Sequence, residues 1–291
     1  MVMVPETAAP PGRAPAVGRH SSVVFSDDRQ WAEHLCAFVR GGLDRGEQVR
    51  YFADTTDPER VLRALTDAGI DARTAVTRGQ LCVSLAAQTY LAGTGFDPDG
   101  MIGLWHDAVE EASARGHRGL RAIGEMSWAA RNVAGADRLL EYELRVHHEV
   151  FERLPLTAWC FYDRRLLPDA HVDVLAGAHL THRGDPVAEP ALHVAPLTDR
   201  PGFLMSGSAG YDTRSVVAAA AAAVRGASAP RVELDFTALR HLDAASLATL
   251  ADAAAGRPGD APLRVRQPPP SLRRLLELFP ALGSEMEVVG R

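Results

Sequence analysis

The stretch from Asp243 to Ser246 places residues that could bind or accept a phosphate at the start of a helix. An apolar, strand-like pattern at 232–236 precedes it, and small residues with helical periodicity follow. Asp243 fits an N-cap, because its carboxylate can accept a hydrogen bond from the backbone N–H of Ala245 or Ser246. A phosphate on the Ser246 hydroxyl would meet the positive end of the helix dipole.

A second group of candidate residues lies where strand-like segments end in acids. These acids are Asp27, Asp28, Asp54, Glu125 and Asp163. Because ligands bind at the carboxyl ends of parallel strands, the acids could form one rim for a polar or cationic ligand, or for a divalent metal. Acids at these positions also cap the helices that follow strands, and we favour that role for Asp27, Asp28 and Asp54. For Glu125 both interpretations stay open.

Six residues near this rim are our candidates for binding a small molecule. They are Glu125, Trp128, Tyr142, Tyr162, Asp163 and Arg164. Aromatic side chains could line an apolar pocket there. The alternative for the aromatic residues is that they belong to the hydrophobic core.

Several kinds of chemistry are excluded or unsupported by the sequence. The chain has 291 residues and no lysine, which excludes a P-loop lysine and a Schiff-base lysine. No G-x-S-x-G elbow and no H-E-x-x-H pair occurs, so we predict no catalytic residue and no metal site. We expect all eleven histidines to be ordinary surface or core residues. We also expect the three cysteines to be buried thiols in a reducing compartment.

The elements that would position these residues alternate between strands and helices. This pattern over 21–176 predicts an α/β architecture with a largely parallel sheet. Four prolines within 183–201 favour a linker at 183–200. We therefore predict a disordered lead-in at 1–16, a first domain at 17–182, and a second, smaller α/β domain at 201–291.

The second domain resembles STAS domains, the family of anti-anti-sigma factors. Its order of strands and helices agrees, and the residues DAAS at 243–246 stand where the family has Asp-Ser-Ser-Gly. In that family the second Ser is phosphorylated by an anti-sigma kinase. The resemblance therefore makes Ala245 the phosphoacceptor position, now without a hydroxyl, and implies that Asp243, Ala245 and Ser246 contact a protein partner.

The first domain resembles the MEDS family, a sensory domain of methanogens and methylotrophs. The resemblance rests on GEMSW at 124–128, LLEYE at 139–143 and CFYDRR at 160–165, with HSSVVF at 20–25 and GQL at 79–81 in agreement. It implies a fold related to RecA/KaiC-like ATPases and a role in sensing a small molecule. The cofactor, if any, is unknown.

Together these observations predict a cytoplasmic bacterial regulator in which a MEDS-like domain senses a small molecule. The STAS-like domain would then bind an anti-sigma factor of the serine kinase type or a related protein. Two alternatives stay open: a metal- or ligand-dependent enzyme that uses the acidic rim near Glu125, and a docking or dimerisation module without sensing. A net charge of -6 argues against nucleic acid as a partner, and no apolar run is long enough to span a membrane. A homodimer is one arrangement that the sequence leaves open.

Overall fold

The computed structural model describes residues 19–258 and 261–290. The predicted lead-in at 1–16 lies outside the described residues. The described chain forms two α/β units, each built on its own six-stranded sheet. This confirms the α/β class and the presence of a second, smaller unit.

The first sheet is entirely parallel and has the strand order β3-β2-β4-β5-β1-β6. Its strands are β1 (Arg19–Phe25), β2 (Gln48–Ala53), β3 (Leu81–Leu85), β4 (Leu120–Glu125), β5 (Leu156–Asp163) and β6 (Thr181–Gly184). Side chains alternate between its two faces, so Val23 and Phe25 belong to one buried cluster and Val24 to the other. Helices cover both faces, as the short apolar strands predict.

The helices of the first unit are α1 (Asp28–Asp44), α2 (Pro58–Asp67), α3 (Ala72–Thr77), α4 (Pro98–Ala114), α5 (Leu139–Val146) and α6 (Asp169–Gly177). The first four each follow an aspartate whose carboxylate accepts a backbone N–H: Asp27, Asp57, Asp71 and Asp97. These caps satisfy donors that the first helical turn leaves unpaired. Helix α5 continues directly into a π-helical turn, His147–Phe151.

The second sheet has the order β10-β8-β9-β11-β12, and β7 pairs antiparallel with β8. Its strands are β7 (Leu192–Pro196), β8 (Gly202–Ala209), β9 (Glu233–Asp235), β10 (Leu239–Leu242), β11 (Leu263–Arg266) and β12 (Met286–Val289). Its helices are α7 (Arg214–Gly226), α8 (Ala244–Ala255) and α9 (Pro270–Leu278).

The segment predicted to be a linker contains regular structure. Residues 183–200 include the end of β6 and the whole of β7, so the connection between the two sheets is only 185–191. Strand β7 was not predicted, because the proline-rich composition of this segment favours a linker. The strand forms through its antiparallel pairing with β8, which the local sequence does not indicate. The domain boundaries themselves stay a prediction.

The two units share one continuous hydrophobic core on the side of α5. Helix α5 packs against α7, and His148 Nε2 lies 3.1 Å from the carbonyl oxygen of Gly202. A Cβ atom added at Gly226, at the end of α7, would come within 2.7 Å of the Arg145 guanidinium. The second unit therefore packs directly against helix α5 of the first unit.

Candidate functional site

A cleft of about 370 Å³ opens at the carboxyl edge of the first sheet, where the acidic rim was predicted. Glu125 and Asp163 both line this cleft. Sequence reasoning did not assign several other lining residues, among them Trp31, Thr55, Arg60 and Arg165. Trp31 lies on the inner face of α1 and is only 4% exposed.

Glu125, at the end of β4, anchors the loop that follows β2. Its carboxylate accepts hydrogen bonds from Tyr51 Oη at 2.5 Å and from the backbone N–H groups of Asp54, Thr55 and Thr56 at 2.7, 3.0 and 3.2 Å. Burial, reinforced by the neighbouring Glu125 carboxylate, raises the pKa of Tyr51, which keeps this phenol a donor. Both Glu125 oxygens are thus occupied by structural hydrogen bonds.

The charged residues of the cleft are paired with one another. Asp28 bridges Arg165 at 2.8 Å and Arg60 at 2.7 Å. The hydrogen bond from Arg165 is the main reason that the pKa of Asp28 lies below its usual value. Arg165 also contacts Asp163 at 2.7 Å, and the Arg60 guanidinium lies 5.0 Å from the centre of the Trp31 ring.

The predicted capping role holds for one of the three aspartates. Asp27 caps α1 by accepting the Gln30 N–H. Asp28 instead takes part in the ion pairs of the cleft, and Asp54 accepts a hydrogen bond from Ser127 Oγ at 2.7 Å and pairs with Arg131. These two expectations were wrong because the partners come from distant segments of the chain.

The three aromatic candidates lie inside the first unit, apart from the cleft. The Trp128 indole donates to Tyr90 Oη at 3.1 Å, and Tyr142 Oη accepts from Trp105 at 2.7 Å. Tyr162 is fully buried and is described with its own partners below. The three aromatic residues therefore belong to the hydrophobic core, which is the alternative stated above. The six residues predicted to bind a small molecule do not line one common pocket.

A larger cavity of about 580 Å³ lies between the two units. Its wall is mostly apolar and comes from α5, α6, β7 and α7, with Leu140, Val174, Leu192, Val216 and Ala219 among the lining residues. Apolar walls with a few polar groups are typical of small-molecule sites.

Two polar features connect this cavity to the predicted site residues. Asp173 lines it and pairs at 3.4 Å with Arg164, one of the six candidates. Asp212 and Thr213, in the turn between β8 and α7, line its other side. The same turn reaches Asp243, because a Cβ added at Gly210 would lie 3.7 Å from Asp243 Oδ2.

Asp243 caps α8 as the sequence predicts. Its Oδ1 accepts the Ser246 N–H at 2.7 Å. Burial alone would raise the pKa of Asp243, but the hydrogen bond from the Ser246 backbone N–H and the positive charge of Arg214 outweigh it, and the pKa is lowered. The carboxylate therefore stays ionised at the positive end of the helix, where a negative charge is favourable.

The side chains at the start of α8 differ sharply in exposure. Ala244 and Ala245 are exposed, whereas Ser246 is 2% exposed and its hydroxyl has no hydrogen-bond partner. Tyr211, in the neighbouring turn, is 78% exposed, and the Arg214 guanidinium lies 5.1 Å from the centre of its ring. The surface at this helix start is thus formed by Ala244, Ala245 and Tyr211, which we call the α8 face.

Among the described residues, two clusters have ligand atoms close enough to hold a metal although the sequence predicted none: one is formed by His147, His148 and Glu152, and the other is fully buried. The ligand atoms of His20, Glu143, Cys160 and His179 all lie within 4.8 Å of one another, and all four residues are buried. The expectation of buried cysteines holds for Cys160, whereas Cys82 is exposed and Cys36 is partly exposed.

None of the helices within residues 19–258 and 261–290 has both the length and the apolar composition that crossing a membrane requires.

Comparisons with known proteins match each unit to a separate family. The family model described as the methanogen/methylotroph, DcmR sensory domain, MEDS, matches residues 19–182. The family model described as the Mlab STAS domain matches residues 205–281. The order of the two matches agrees with the resemblances found in the sequence.

Individual relatives are distant. The transcriptional repressor DcmR of Methylorubrum extorquens is 25% identical over 184 residues, which cover 55% of this chain and 64% of that protein. Among solved structures, the DUF1998 helicase MrfA bound to DNA and AMPPNP has 11% identity and a TM-score of 0.31 over 93% of this chain and 39% of that one. A TM-score this low supports no inference about the fold or the function of this chain. The MEDS match spans more than half of the sequence, and the chain therefore belongs to the MEDS family of sensory domains, with a STAS domain following in the same chain.

Proposed function

We propose that this protein is a signalling regulator whose MEDS unit senses a small molecule and whose STAS unit binds a protein partner. An anti-sigma factor of the serine kinase type, or a related protein, is the partner that the Asp243 motif favours. The observation that carries the proposal is the α8 face, where Ala245 is exposed beside the ionised cap Asp243.

The residue types on the α8 face suit a constitutive contact. Ala245 stands at the phosphoacceptor position and has no hydroxyl, so the usual phosphate switch is missing there. Ser246 cannot replace it easily, because its hydroxyl is buried and a one-residue advance turns a side chain by about 100° around a helix. An exposed tyrosine, Tyr211, adds the kind of aromatic anchor that is common in protein interfaces.

The cavity between the units is the best candidate for the sensed ligand. Its wall includes Asp212 and Thr213, and the turn that carries them also carries Tyr211 and borders Asp243. A ligand that binds there can shift the position of this turn relative to α8. A small, largely apolar molecule fits the lining.

The enzyme alternative finds no support in the geometry around Glu125. A general acid or base needs a carboxylate oxygen that can reach a substrate, and both Glu125 oxygens already accept structural hydrogen bonds. The families matched by the chain are regulatory.

Binding of the full-length chain to anti-sigma kinase domains of the source organism, measured by calorimetry, tests the proposal. Ala245→Asp places a charge on the α8 face and should weaken binding at least tenfold. Ala255→Asp is the matched control, because it makes the same change at the exposed opposite end of α8 and should bind like the wild type.

A third variant tests the coupling. Ser215→Trp fills the cavity between the units from an exposed position, and it should change partner affinity although Ser215 lies outside the α8 face. Equal binding by the wild type and Ala245→Asp would refute the partner role. An effect of Ala245→Asp without any effect of Ser215→Trp would leave a docking module that does not sense.

A further inference from the structure

Four buried side chains from separate parts of the first unit converge on one point. His20 comes from β1, Cys160 from the adjacent strand β5, Glu143 from α5, and His179 follows α6. In the register of β1 and β5, His20 lies opposite Ala158, so His20 and Cys160 point to the same face of the sheet. That face is the one covered by α5 and α6, which brings all four side chains together.

The distances between their donor atoms match those around a tetrahedral metal ion. Glu143 Oε2 lies 3.3 Å from His20 Nε2, 3.5 Å from His179 Nε2 and 3.9 Å from Cys160 Sγ, while His20 Nε2 lies 3.2 Å from Cys160 Sγ. An ion with bonds of about 2.0–2.3 Å to tetrahedral ligands separates its donor atoms by about 3.3–3.8 Å. The cluster is therefore already spaced to hold such an ion.

Without an ion, the cluster leaves a buried donor or acceptor unsatisfied. His179 Nε2 has no hydrogen-bond partner, and the side chain of His179 is fully buried. A buried polar atom of this kind is unfavourable and calls for a partner. The nitrogen lies on the side of the ring that faces Glu143, so the missing partner belongs inside the cluster.

Neighbouring groups orient the donors as outer-shell residues do in metal proteins. His179 Nδ1 lies 2.9 Å from the carbonyl oxygen of Leu175, which leaves Nε2 as the nitrogen directed into the cluster. Tyr162 Oη donates to Glu143 Oε1 at 2.9 Å, which leaves Oε2 for an ion. The ring of His20 stacks on Phe151 with 4.5 Å between their centres.

We propose that His20, Glu143, Cys160 and His179 together bind one divalent transition-metal ion, with zinc as the best fit. Two imidazole nitrogens, one thiolate and one carboxylate are the ligand types that zinc prefers, and similar ions such as cobalt(II) accept the same set. Binding forms four bonds to the ion, and any proton carried by the Cys160 thiol or the Glu143 carboxyl is released to solvent, so that a thiolate and a carboxylate contact the ion. The two resulting negative charges neutralise the ion, which makes its complete burial favourable.

The buried position of the four side chains affects their protonation. Burial lowers the pKa of His20 and of His179 to about 3, so both rings are neutral and available as ligands. Burial also raises the pKa of Glu143 and of Cys160, because the interior disfavours their charged forms, and a bound cation offsets that cost. This site is separate from the α8 face, and the inference does not depend on the proposed partner.

The test uses the full-length protein without a polyhistidine tag, dialysed against zinc and then against buffer, with bound metal measured by elemental mass spectrometry. We expect about one zinc ion per chain. Cys160→Ser and His179→Ala should lose at least tenfold in zinc affinity. The matched controls are Cys82→Ser and His117→Ala, which lie outside the cluster and should bind zinc like the wild type.

Cobalt(II) provides a readout that a loss of folding cannot imitate. The loaded wild type should show the absorption of tetrahedral cobalt together with a thiolate-to-cobalt charge-transfer band in the near ultraviolet. Cys160→His restores a ligand without sulfur and should keep the tetrahedral bands while it loses the charge-transfer band. A folded wild type that binds no ion would overturn the proposal, and so would equal binding by Cys160→Ser and Cys82→Ser.

Discussion

The two units of this protein bury different kinds of side chains. Among the described residues, ten acidic, arginine or histidine residues are buried in the first unit and only two, Glu233 and Arg257, in the second. The interior of the second unit is dominated by alanine, valine and leucine, and its distinctive groups lie on the surface, as Tyr211 does. Buried polar groups are unfavourable unless they are paired, so a unit that keeps many of them carries its specific chemistry inside. This contrast supports the two proposals that an ion binds inside the first unit and that a protein partner binds on the surface of the second.

Removing a buried carboxylate from the first unit gives the largest expected effect and tests this difference between the units most directly. Glu125→Ala leaves Tyr51 and the backbone N–H groups of 54–56 without their acceptor, and it should lower the free energy of unfolding by about 3 kcal/mol. Urea unfolding followed by tryptophan fluorescence measures this, because all four tryptophans lie in the first unit.

Glu277→Ala is the control for that prediction. Glu277 is an exposed carboxylate of the second unit that pairs with Arg274, and its removal should change stability by less than about 0.5 kcal/mol. If the two variants lost similar amounts of unfolding free energy, the buried carboxylate of Glu125 would contribute no more to stability than an exposed one.

A second prediction concerns how the stability of the first unit depends on pH. In the metal-free protein, burial holds the pKa of His20 and of His179 at about 3, whereas the unfolded chain binds protons on these rings near pH 6.5. Between these values the unfolded state therefore binds more protons, so stability is fully present above pH 6.5 and is lost as the pH falls toward 3. Each histidine contributes a slope of about 1.4 kcal/mol per pH unit in this window.

His179→Gln should remove one of these contributions and make the acid-side slope shallower. Urea unfolding with a chelator at pH 4.5, 5.5 and 7.5, values chosen within and above the window, measures the slope by tryptophan fluorescence. His117→Gln, outside the cluster, should keep the wild-type slope. Parallel slopes for the wild type and His179→Gln would show that this ring is protonated in the folded state.

The smallest predicted effect concerns the cap of α8. Asp243→Ala removes the acceptor of the Ser246 N–H and should destabilise the second unit by about 1 kcal/mol. Hydrogen exchange of the α8 amides measures this, since the second unit has no tryptophan. Asp252→Ala, an exposed change near the other end of α8, should have little effect. A loss as large as that of Glu125→Ala would show that the second unit also depends strongly on a single carboxylate.

Local signals in the sequence predicted most of the fold. The apolar segment 232–236 was predicted as a strand and contains β9, and the Asp243 cap lies where its spacing requires. These features depend on near neighbours in the chain. Strand β7 was missed because it is defined by a partner strand rather than by its own periodicity.

The candidate sites were harder to predict because they depend on contacts between distant residues. The sequence shows that Glu125 is a single carboxylate among apolar residues, which needs hydrogen-bond partners if it is buried. It does not show which residues those partners are. His20 and Cys160 are 140 residues apart, and nothing local indicates that they lie 3.2 Å from each other. The register of β1 on β5 decides that contact, and a single sequence does not specify it.

The alanine-rich helix α7 has a consequence for motion between the units. Seven of its residues are buried, all of them alanine or valine: Val216, Val217, Ala219, Ala220, Ala221, Ala223 and Val224. Alanine has no rotamers to lose, and valine has few, so α7 packs on α5 at little cost in side-chain entropy. Because these side chains are short, small sliding displacements of α7 along α5 require none of the buried α7 side chains to change its rotamer. We therefore expect shear, rather than hinge bending, to be the mode in which the second unit moves on the first.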